Sequence, residues 1–252
     1  MRIMFISDIH GNLEALNKSL EYKNELNIDK VIGLGDYIGY GVNPNECIDL
    51  IKNFECVRGN HDTAIFNKKE LLTHNDMAYK MLKWTQKELT EDNINYLKAL
   101  PSIIADKKYG YTAIHGSLIK PFDYIDYIYD AKKNFIIMEL PLLFVGHTHE
   151  PKIWIGYKDF KNNKKFKFKI NEIDEINDNK VFYINKDNFY IINVGSIGFS
   201  RDGNNKGCFA VYDSKDKTIE FYRVNYNRGL TIRKMIEAGV SKKIYERLIS
   251  GN

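Results

Sequence analysis

The feature that most constrains the fold is a series of short apolar runs that alternate with helical patterns. The run from Ile3 to Ile6 comes first, and Asn12 is placed to cap the helix after it. In that helix, leucines recur at helical spacing. The run "VIGLGD" is likewise followed by "NPNECIDLI", whose Asn43, Pro44 and Glu46 are typical of a helix start. Strands that alternate with helices predict an α/β sheet.

The second half of the chain is richer in strand candidates. After residues 67 to 100, which we predict to be helical, the candidates are "YGYTAIH", "LLFVGHTH", "KIWIGY", "KFKFKI", "VFYI", "FYIINVGS", "CFAVY" and "TIEFYRV". Helical patterns return at about residues 227 to 250. We therefore predict an α/β (α+β) fold in which two mixed β-sheets pack face to face between helices, a four-layer αββα sandwich. The absence of repeats and of Pro- or Gly-rich linkers predicts one domain over residues 1–252.

Composition and charge exclude several classes of protein. The 37 basic and 33 acidic residues leave a formal charge of +4, so we expect no specific nucleic-acid binding. Since no run of about 18 apolar residues occurs, we expect no membrane-spanning segment. Cys47, Cys56 and Cys208 show no CxxC spacing and predict a reducing, cytoplasmic environment. The oligomeric state stays open.

One biased segment, "KDFKNNKKFKFKI", has six lysines between Lys158 and Lys169 and precedes the acidic "NEIDEINDN". Its alternation fits a hairpin with a solvated face. A role in guiding a substrate is the alternative.

Polar residues of metal-binding type follow five of the apolar runs. They are Asp8 and His10, then Asp36, then Asn60 with His61, then His115, and finally His147 and His149. Because ligands bind at the carboxyl ends of strands in α/β sheets, we expect these side chains to converge. A mixed set of nitrogen and oxygen donors suits Mn, Fe, Zn, Co or Ni better than Ca or Mg. Without His61, which is not counted as a ligand, seven candidate ligands remain, and this number favours two ions over one.

Each of these residues alone has an ordinary structural explanation, such as a helix cap, a turn or a core histidine. Their ordered occurrence as DxH, GD, GNHD, HG and GHTH is what favours a site. His74 lies outside every motif, and we predict it to be a histidine on a helix surface.

The motifs "DIHGN", "GDYIGYG", "RGNHD", "HGS" and "GHTH" resemble those of the calcineurin-like metallophosphoesterase superfamily. They extend from Asp8 to His149, and "NVGSIGFSRDG" extends the likeness to about residue 203. "GDYIGYGVNPNE" and the later "NVGS" and "RDG" are similar to small prokaryotic phosphodiesterases and diadenosine-tetraphosphatase-related proteins. The resemblance implies two mixed sheets flanked by helices, which agrees with the strand pattern.

The resemblance also implies how the metal ions are held. Asp8, His10 and His149 are expected to bind the first ion, while Asn60, His115 and His147 bind the second. Asp36 is expected to bridge the two. Manganese is the expected metal, with Fe, Zn, Co or Ni as alternatives.

A pair of ions suggests how the reaction proceeds. Two ions about 3.5–4 Å apart can polarise phosphoryl oxygens and lower the pKa of a bridging water, so the expected nucleophile is a metal-bridging hydroxide. His61 is placed to protonate the leaving group or to hydrogen-bond its developing charge. Asp62 either orients His61 or caps the next helix, and both alternatives stay open. Tyr124 and Tyr127, in "PFDYIDYIYD", either stack on the organic part of the substrate or pack a helix.

Departures from the family pattern bear on the substrate. Gly39 and Tyr40 stand where protein phosphatases of the superfamily carry the Asp and Arg of GDxxDRG. Related proteins read NPGS where this chain has "NVGS", so we expect a differently set phosphate-side loop. The missing Arg weakens the case for a phosphate monoester, and we expect small phosphodiesters, nucleotides or dinucleoside polyphosphates as substrates. Arg201, in the loop from Gly195 to Gly203, could restore the missing cation.

Two alternatives remain at this point. One is a phosphomonoesterase or protein phosphatase of the same fold. The other is a non-catalytic scaffold that retains the fold, although such a protein would be expected to lose ligands, and every ligand type is present here.

Overall fold

The structure is a computed structural model that describes residues 1–159, 167–174, 176 and 178–252, with side chains for all of these except 158, 159 and 167–169. Its strands are β1 (Arg2–Ile6), β2 (Lys30–Gly33), β3 (Glu55–Cys56), β4 (Ile103–Asp106), β5 (Tyr111–Ile114), β6 (Leu142–Val145), β7 (Lys152–Asp159), β8 (Lys167–Ile173), β9 (Val181–Tyr183), β10 (Asn188–Asn193), β11 (Gly207–Asp213) and β12 (Thr218–Val224). Its helices are α1 (Leu13–Glu25), α2 (Pro44–Ile51), α3 (Asn60–Ala64), α4 (Lys68–Leu71), α5 (Asp76–Glu88), α6 (Glu91–Ala99), α7 (Ile128–Ile137), α8 (Arg228–Glu237), α9 (Lys242–Tyr245) and α10 (Arg247–Ser250).

In the described part of the chain, the strands form two six-stranded mixed sheets. The first has the order β3-β2-β1-β11-β12-β9, and its strands β1, β2 and β3 are parallel neighbours. The second has the order β4-β5-β6-β10-β7-β8, and its strands β5, β6 and β10 are parallel neighbours. Each sheet thus has a group of parallel strands whose carboxyl ends lie together.

The main core lies between the two sheets. Because successive side chains of a strand point to opposite faces, β1 turns Ile3 and Phe5 towards the second sheet and Met4 and Ile6 away from it. Phe5 stacks on Phe144 of β6, with ring centroids 3.7 Å apart. Met4 and Ile6 instead pack in a core that includes residues of α1 and α2.

Helix α7 covers the outer face of the second sheet. Its residues Ala131 and Phe135 are fully buried against Leu143 and Val145 of β6 and Trp154 of β7. Together with α1 and α2 outside the first sheet, this arrangement gives four layers, and the predicted αββα sandwich of two mixed sheets is confirmed.

Two elements were not predicted from the sequence. Strand β4 is a four-residue edge strand whose apolar run, Ile103 to Ala105, is only three residues long and directly follows the predicted helices. Helix α7 follows Tyr127, whose side chain makes no capping hydrogen bond, so the usual start signal is missing.

The predicted helix starts are confirmed in position. Asn12 caps α1 by accepting a hydrogen bond from the Ala15 N–H at 3.2 Å. Asn43 precedes α2 as predicted, but its side chain donates to the Glu46 carboxylate at 2.8 Å and does not cap the backbone.

Strands β7 and β8 pair antiparallel, in agreement with the predicted hairpin. Most of the Lys-rich segment 158–169 lies outside the described residues, so its solvated face and its role in guiding substrate stay predictions. Among the helices that the structure describes, none has both the length and the apolar character needed to cross a lipid bilayer.

Candidate metal centre

The residues predicted to bind metal lie in loops at the carboxyl ends of parallel strands from both sheets. Asp8 and His10 follow β1, Asp36 follows β2, Asn60 and His61 follow β3, His115 follows β5, and His147 and His149 follow β6. All are buried except the half-buried Asn60. The structure therefore brings together every residue of the predicted set.

The backbone around these side chains is strained. Asp8, His10, Asp36, His147 and His149 all adopt left-handed conformations, with φ between 50° and 70°. Such a conformation costs a non-glycine residue about 1–3 kcal/mol, and it persists only where surrounding interactions impose it. Here the Asp8 N–H donates to the Gly35 carbonyl at 3.0 Å, and the His10 N–H donates to the Asp36 carbonyl at 2.9 Å. Strain of this kind is concentrated at functional sites.

One pair of histidine rings meets beside β1. His10 Nε2 lies 3.1 Å from His149 Nε2. The Nδ1 atoms of these rings donate to main-chain carbonyls, from His10 to Ile38 at 3.0 Å and from His149 to Phe199. Burial lowers the pKa of both rings, so each is neutral and carries its proton on Nδ1. The two Nε2 lone pairs therefore face each other with no proton between them.

A second pair has the same design. His115 Nε2 lies 2.9 Å from His147 Nδ1, and their other ring nitrogens donate to the carbonyls of Leu34 at 2.8 Å and Phe122 at 2.9 Å. Burial opposes a charge on His115, but the Asp36 carboxylate outweighs it and raises the pKa of His115 to about 9. Positive charge between these rings is therefore favourable. Histidines that ligate metals are held in this way, by a second hydrogen bond that fixes the tautomer.

The carboxylates complete two donor groups. Asp8 Oδ1 is buried without a hydrogen-bond partner among the described residues and lies 3.2 Å from His149 Nε2. Asp36 Oδ2 lies between the two histidine pairs, 3.8 Å from His10 Nε2 and 3.4 Å from His115 Nε2. Facing lone pairs beside an unpartnered anionic oxygen fit divalent transition-metal ions, and the position of Asp36 fits a carboxylate shared by two of them.

Asn60 joins the second group through an arrangement that involves His74. Asn60 Oδ1 lies 3.1 Å from His115 Nε2, while its Nδ2 donates to His74 Nε2 at 3.0 Å. His74 Nδ1 in turn donates to the Glu70 carbonyl at 3.0 Å, which leaves Nε2 as an acceptor. This hydrogen bond keeps the amide NH₂ of Asn60 away from the site and turns its oxygen inwards.

The prediction that His74 lies on a helix surface is wrong. The residue lies in the bend between α4 and α5, is half-buried, and its ring centroid is 4.7 Å from that of His61. Its contact with Asn60 spans 14 positions of the chain and belongs to no motif, so no signal in the sequence points to it.

We expect His74→Phe to weaken binding of the second metal ion by about 10–100-fold, the usual effect of removing a partner that orients a ligand. Phenylalanine keeps the ring but removes the acceptor, so the Asn60 amide is free to turn its NH₂ towards the metal. Calorimetric titration of the metal-free protein with Mn²⁺ measures this change. The matched control is Leu72→Ala, in the same bend, where the side chain is 64% exposed. Equal affinities in His74→Phe and Leu72→Ala would contradict the role given to His74.

His61 lies at the inner wall of the site. Its main-chain N–H donates to Asp36 Oδ1 at 2.9 Å, its ring centroid is 4.6 Å from that of His10, and its buried Nδ1 has no partner among the described residues. Burial lowers its pKa to about 3. The ring is therefore a neutral hydrogen-bond donor. A side chain on Gly39, which has φ +138°, would lie 2.4 Å from His61 Nδ1, so this position requires glycine.

The hydrogen bonds of Asp62 distinguish between the two roles left open for it, which were to orient His61 or to cap the next helix. Its Oδ2 accepts hydrogen bonds from the N–H groups of Asp36 at 2.8 Å and Gly59 at 2.9 Å, and its Oδ1 accepts from the Tyr37 N–H at 3.0 Å. No hydrogen bond to His61 occurs among the described residues. Asp62 therefore caps α3 and fastens the loop that carries Asp36, and the interpretation that it orients His61 is wrong.

The "NVGS" stretch supports both loops of the first donor group. The Val194 N–H donates to the Val145 carbonyl at 2.9 Å, a bond that proline could not make. Asn193 Nδ2 donates to the Gly146 carbonyl at 2.7 Å, and Ser196 Oγ donates to the Asp8 carbonyl at 2.8 Å. The valine thus extends the sheet pairing into the loop.

A cavity of about 420 Å³ opens above the two donor groups. Tyr124 lines it and stacks on His147, with ring centroids 4.0 Å apart and planes 6° from parallel. Tyr127 is 73% exposed at the start of α7 and is not among the lining residues. Of Tyr124 and Tyr127, only Tyr124 is placed to touch a ligand in this cavity.

Arg201 also lines the cavity. From the sequence, it was the residue that could supply the positive charge missing at the position of Tyr40. Burial opposes its charge, but the neighbouring Tyr40 and Tyr124 raise the pKa of Arg201, and its Nε is buried with no hydrogen-bond partner among the described residues. Arg201 forms no ion pair with any acidic side chain that the structure describes. Arg201 thus restores the cation that the motif around Tyr40 lacks.

Comparison with known proteins agrees with this geometry. The family model of the calcineurin-like phosphoesterase superfamily domain matches residues 1–217. An uncharacterized protein of Methanocaldococcus jannaschii is 35% identical over 253 aligned residues, which cover 99% of this chain and 98% of that protein. That all of residues 1–252 form one domain stays a prediction.

Two solved structures resemble the whole chain. A metallophosphoesterase from Sphaerobacter thermophilus is 32% identical and superposes with a TM-score of 0.84, covering 100% of this chain and 99% of its own. A hypothetical protein from Pyrococcus horikoshii has a TM-score of 0.77 at 22% identity, covering 100% and 98%. With its paired histidines and the carboxylate between them at the carboxyl ends of two packed sheets, this chain belongs to the calcineurin-like metallophosphoesterase superfamily, a family of metal-dependent phosphohydrolases.

Proposed function

We propose that the protein is a phosphoesterase that binds two divalent transition-metal ions, with manganese as the expected metal, and hydrolyses small phosphodiesters or nucleotide and dinucleoside polyphosphates. Asp8, His10 and His149 would hold one ion, Asn60, His115 and His147 the other, and Asp36 would bridge them. When bound, the ions supply Lewis acidity to the phosphoryl oxygens and activate a water for attack.

The observation that carries the proposal is the pair of histidine contacts. Imidazole nitrogens face each other at 3.1 Å in one group and 2.9 Å in the other, and every remaining ring nitrogen donates to a main-chain carbonyl. In a non-catalytic scaffold, nothing would maintain two such close pairs of buried imidazoles on a strained backbone.

The chain's own side chains position the substrate and stabilise its leaving group. Arg201 is placed to hold a phosphoryl oxygen through charge-assisted hydrogen bonds, and Tyr124 offers a ring face to an organic group. The neutral His61 ring donates a hydrogen bond to the leaving oxygen as negative charge develops there.

Phosphomonoester hydrolysis is the second candidate function, and the position of Arg201 favours it. The missing arginine at Tyr40 had argued against a phosphate dianion, but a buried guanidinium in the same cavity removes that objection. The choice between diester and monoester therefore depends on what lies beyond the scissile phosphate.

We expect Arg201→Gln to raise KM for any phosphoester by about tenfold or more, because a hydrogen bond between charged groups contributes about 1.5–3 kcal/mol. The increase should be larger for p-nitrophenyl phosphate, a dianion, than for bis(p-nitrophenyl) phosphate, a monoanion. Steady-state kinetics on both esters measure it, with the exposed Arg233→Gln as the control for loss of charge. An unchanged KM would remove Arg201 from the binding site.

The function itself is tested by hydrolysis after addition of Mn²⁺, with an EDTA-treated sample as control. The substrates are bis(p-nitrophenyl) phosphate, p-nitrophenyl phosphate, diadenosine tetraphosphate and a phosphopeptide. We expect metal-dependent turnover with the highest kcat/KM on a small diester or on diadenosine tetraphosphate. A preference for the phosphopeptide would overturn the substrate class, and no turnover of any ester with metal bound would support the scaffold.

A further inference from the structure

The end of the described chain contributes a second arginine to the cavity. Arg247, the first residue of α10, lines the cavity together with Arg201. The superfamily match ends at residue 217, so this arginine comes from a segment outside the matched domain.

The segment is firmly docked. Ile244 and Leu248 are buried in a cluster that includes Phe199. The Gly203 N–H donates to the Gly251 carbonyl at 2.9 Å, which ties α10 to the loop that carries Arg201. Arg247 is thus held by packing and hydrogen bonds and is not a side chain of a free tail.

The guanidinium of Arg247 has capacity for an anion. It is half-buried, 5.5 Å from the centroid of the Tyr40 ring, and its Nε donates to the Asn252 main-chain oxygen at 3.0 Å. No acidic side chain in the described ranges forms an ion pair with it. A planar guanidinium stacked on an aromatic ring is well suited to bind phosphate or carboxylate oxygens in a bidentate manner.

The cavity also has room beyond the scissile phosphate. Tyr40 lies between the candidate metal centre and Arg247. Its ring centroid is 5.1 Å from that of His61, and the Arg247 guanidinium lies over the same ring. A volume of about 420 Å³ falls within the range of pockets that bind whole small molecules. A substrate that reaches from the metal ligands to Arg247 would carry its second charged group there.

We propose that Arg247 binds a second anionic group of the substrate, a phosphate or a carboxylate, in addition to the phosphate that is hydrolysed. This inference rests on the proposed phosphoesterase function and narrows its substrate class to phosphoesters with a negative charge beyond the scissile group. Esters with an uncharged second group leave Arg247 without a partner.

The test is calorimetric binding of three probes without a scissile ester bond to the Mn²⁺-loaded protein. Inorganic phosphate carries one anionic group, 1,3-propanediphosphonate carries two phosphonates, and 3-phosphonopropionate carries a phosphonate and a carboxylate. We expect Arg247→Gln to weaken binding of the diphosphonate about tenfold and to leave binding of inorganic phosphate unchanged. A matching loss for 3-phosphonopropionate assigns carboxylates to the subsite as well, and its absence restricts the subsite to phosphate-like groups.

Two further variants sharpen the test. Lys243→Gln removes the same charge from an exposed position of the docked segment and should change no affinity. Arg247→Lys keeps the charge but loses the planar donor pair, so its loss should be smaller than that of Arg247→Gln. Equal weakening of phosphate and diphosphonate binding, or no weakening for either probe with two anionic groups, would overturn the proposal. Because binding needs no turnover, that outcome is distinct from a failure to hydrolyse esters.

Discussion

Asp36→Asn should lose most of its bound metal at both positions while the protein stays folded. The carboxylate lies between the two histidine pairs, within 3.8 Å of one and 3.4 Å of the other. Asparagine is nearly isosteric, but if its oxygen keeps accepting the His61 N–H, an NH₂ group that cannot ligate a metal replaces the Oδ2 that lies between the histidine pairs. We expect the affinity for each metal ion to fall by more than about 10–100-fold, which is the usual loss when a residue that only orients a ligand is removed.

Plasma mass spectrometry of protein dialysed against Mn²⁺ measures this loss, and circular dichroism checks the fold. Asp187→Asn, at an exposed position, is the matched control for the change of carboxylate to amide. Two retained equivalents of metal in Asp36→Asn would contradict the shared-ligand role.

His61→Ala should keep both metal ions and lower kcat by about 10²–10³-fold, the usual effect of removing a hydrogen-bond donor that stabilises developing negative charge. Since burial lowers the pKa of His61 to about 3, the ring acts as a neutral hydrogen-bond donor at neutral pH. The loss should shrink for esters with good leaving groups, because a nitrophenolate needs less stabilisation than an alkoxide. His61→Gln keeps a donor group and should recover part of the rate.

Kinetics on a nitrophenyl ester and an alkyl ester of the same phosphate, with metal content measured in parallel, separate the possible roles. An equal loss on both esters would argue against contact with the leaving group. Loss of metal in His61→Ala would make His61 a ligand instead, an outcome that its proximity to His10 and Asp36 makes worth measuring.

The sequence predicted the donor set because a simple rule places it. Each ligand directly follows an apolar strand, and the carboxyl ends of parallel strands meet at one edge, so Asp8, Asp36 and His115 converge although they are far apart in the chain. The two-sheet fold followed from the same strand pattern. These features depend on local periodicity, which a sequence carries directly.

The features that the sequence did not predict depend on contacts between distant segments. His74 acquires its position through Asn60, and Arg247 through packing of the last helices against Phe199. Asp62 accepts hydrogen bonds from main-chain N–H groups of the loop that carries Asp36. A pattern of side chains in the sequence does not show where such N–H groups will lie. Such residues support the site from its surroundings and leave no periodic signal.

The most direct test of the account is a crystal structure of the Mn²⁺-loaded protein with anomalous data collected at the manganese edge. We predict two anomalous peaks about 3.5–4 Å apart, the usual spacing of two-metal sites, with Asp36 in contact with both. One peak should lie among Asp8, His10 and His149, and the other among Asn60, His115 and His147. A single peak, or none at saturating Mn²⁺, would contradict the proposed two-metal centre.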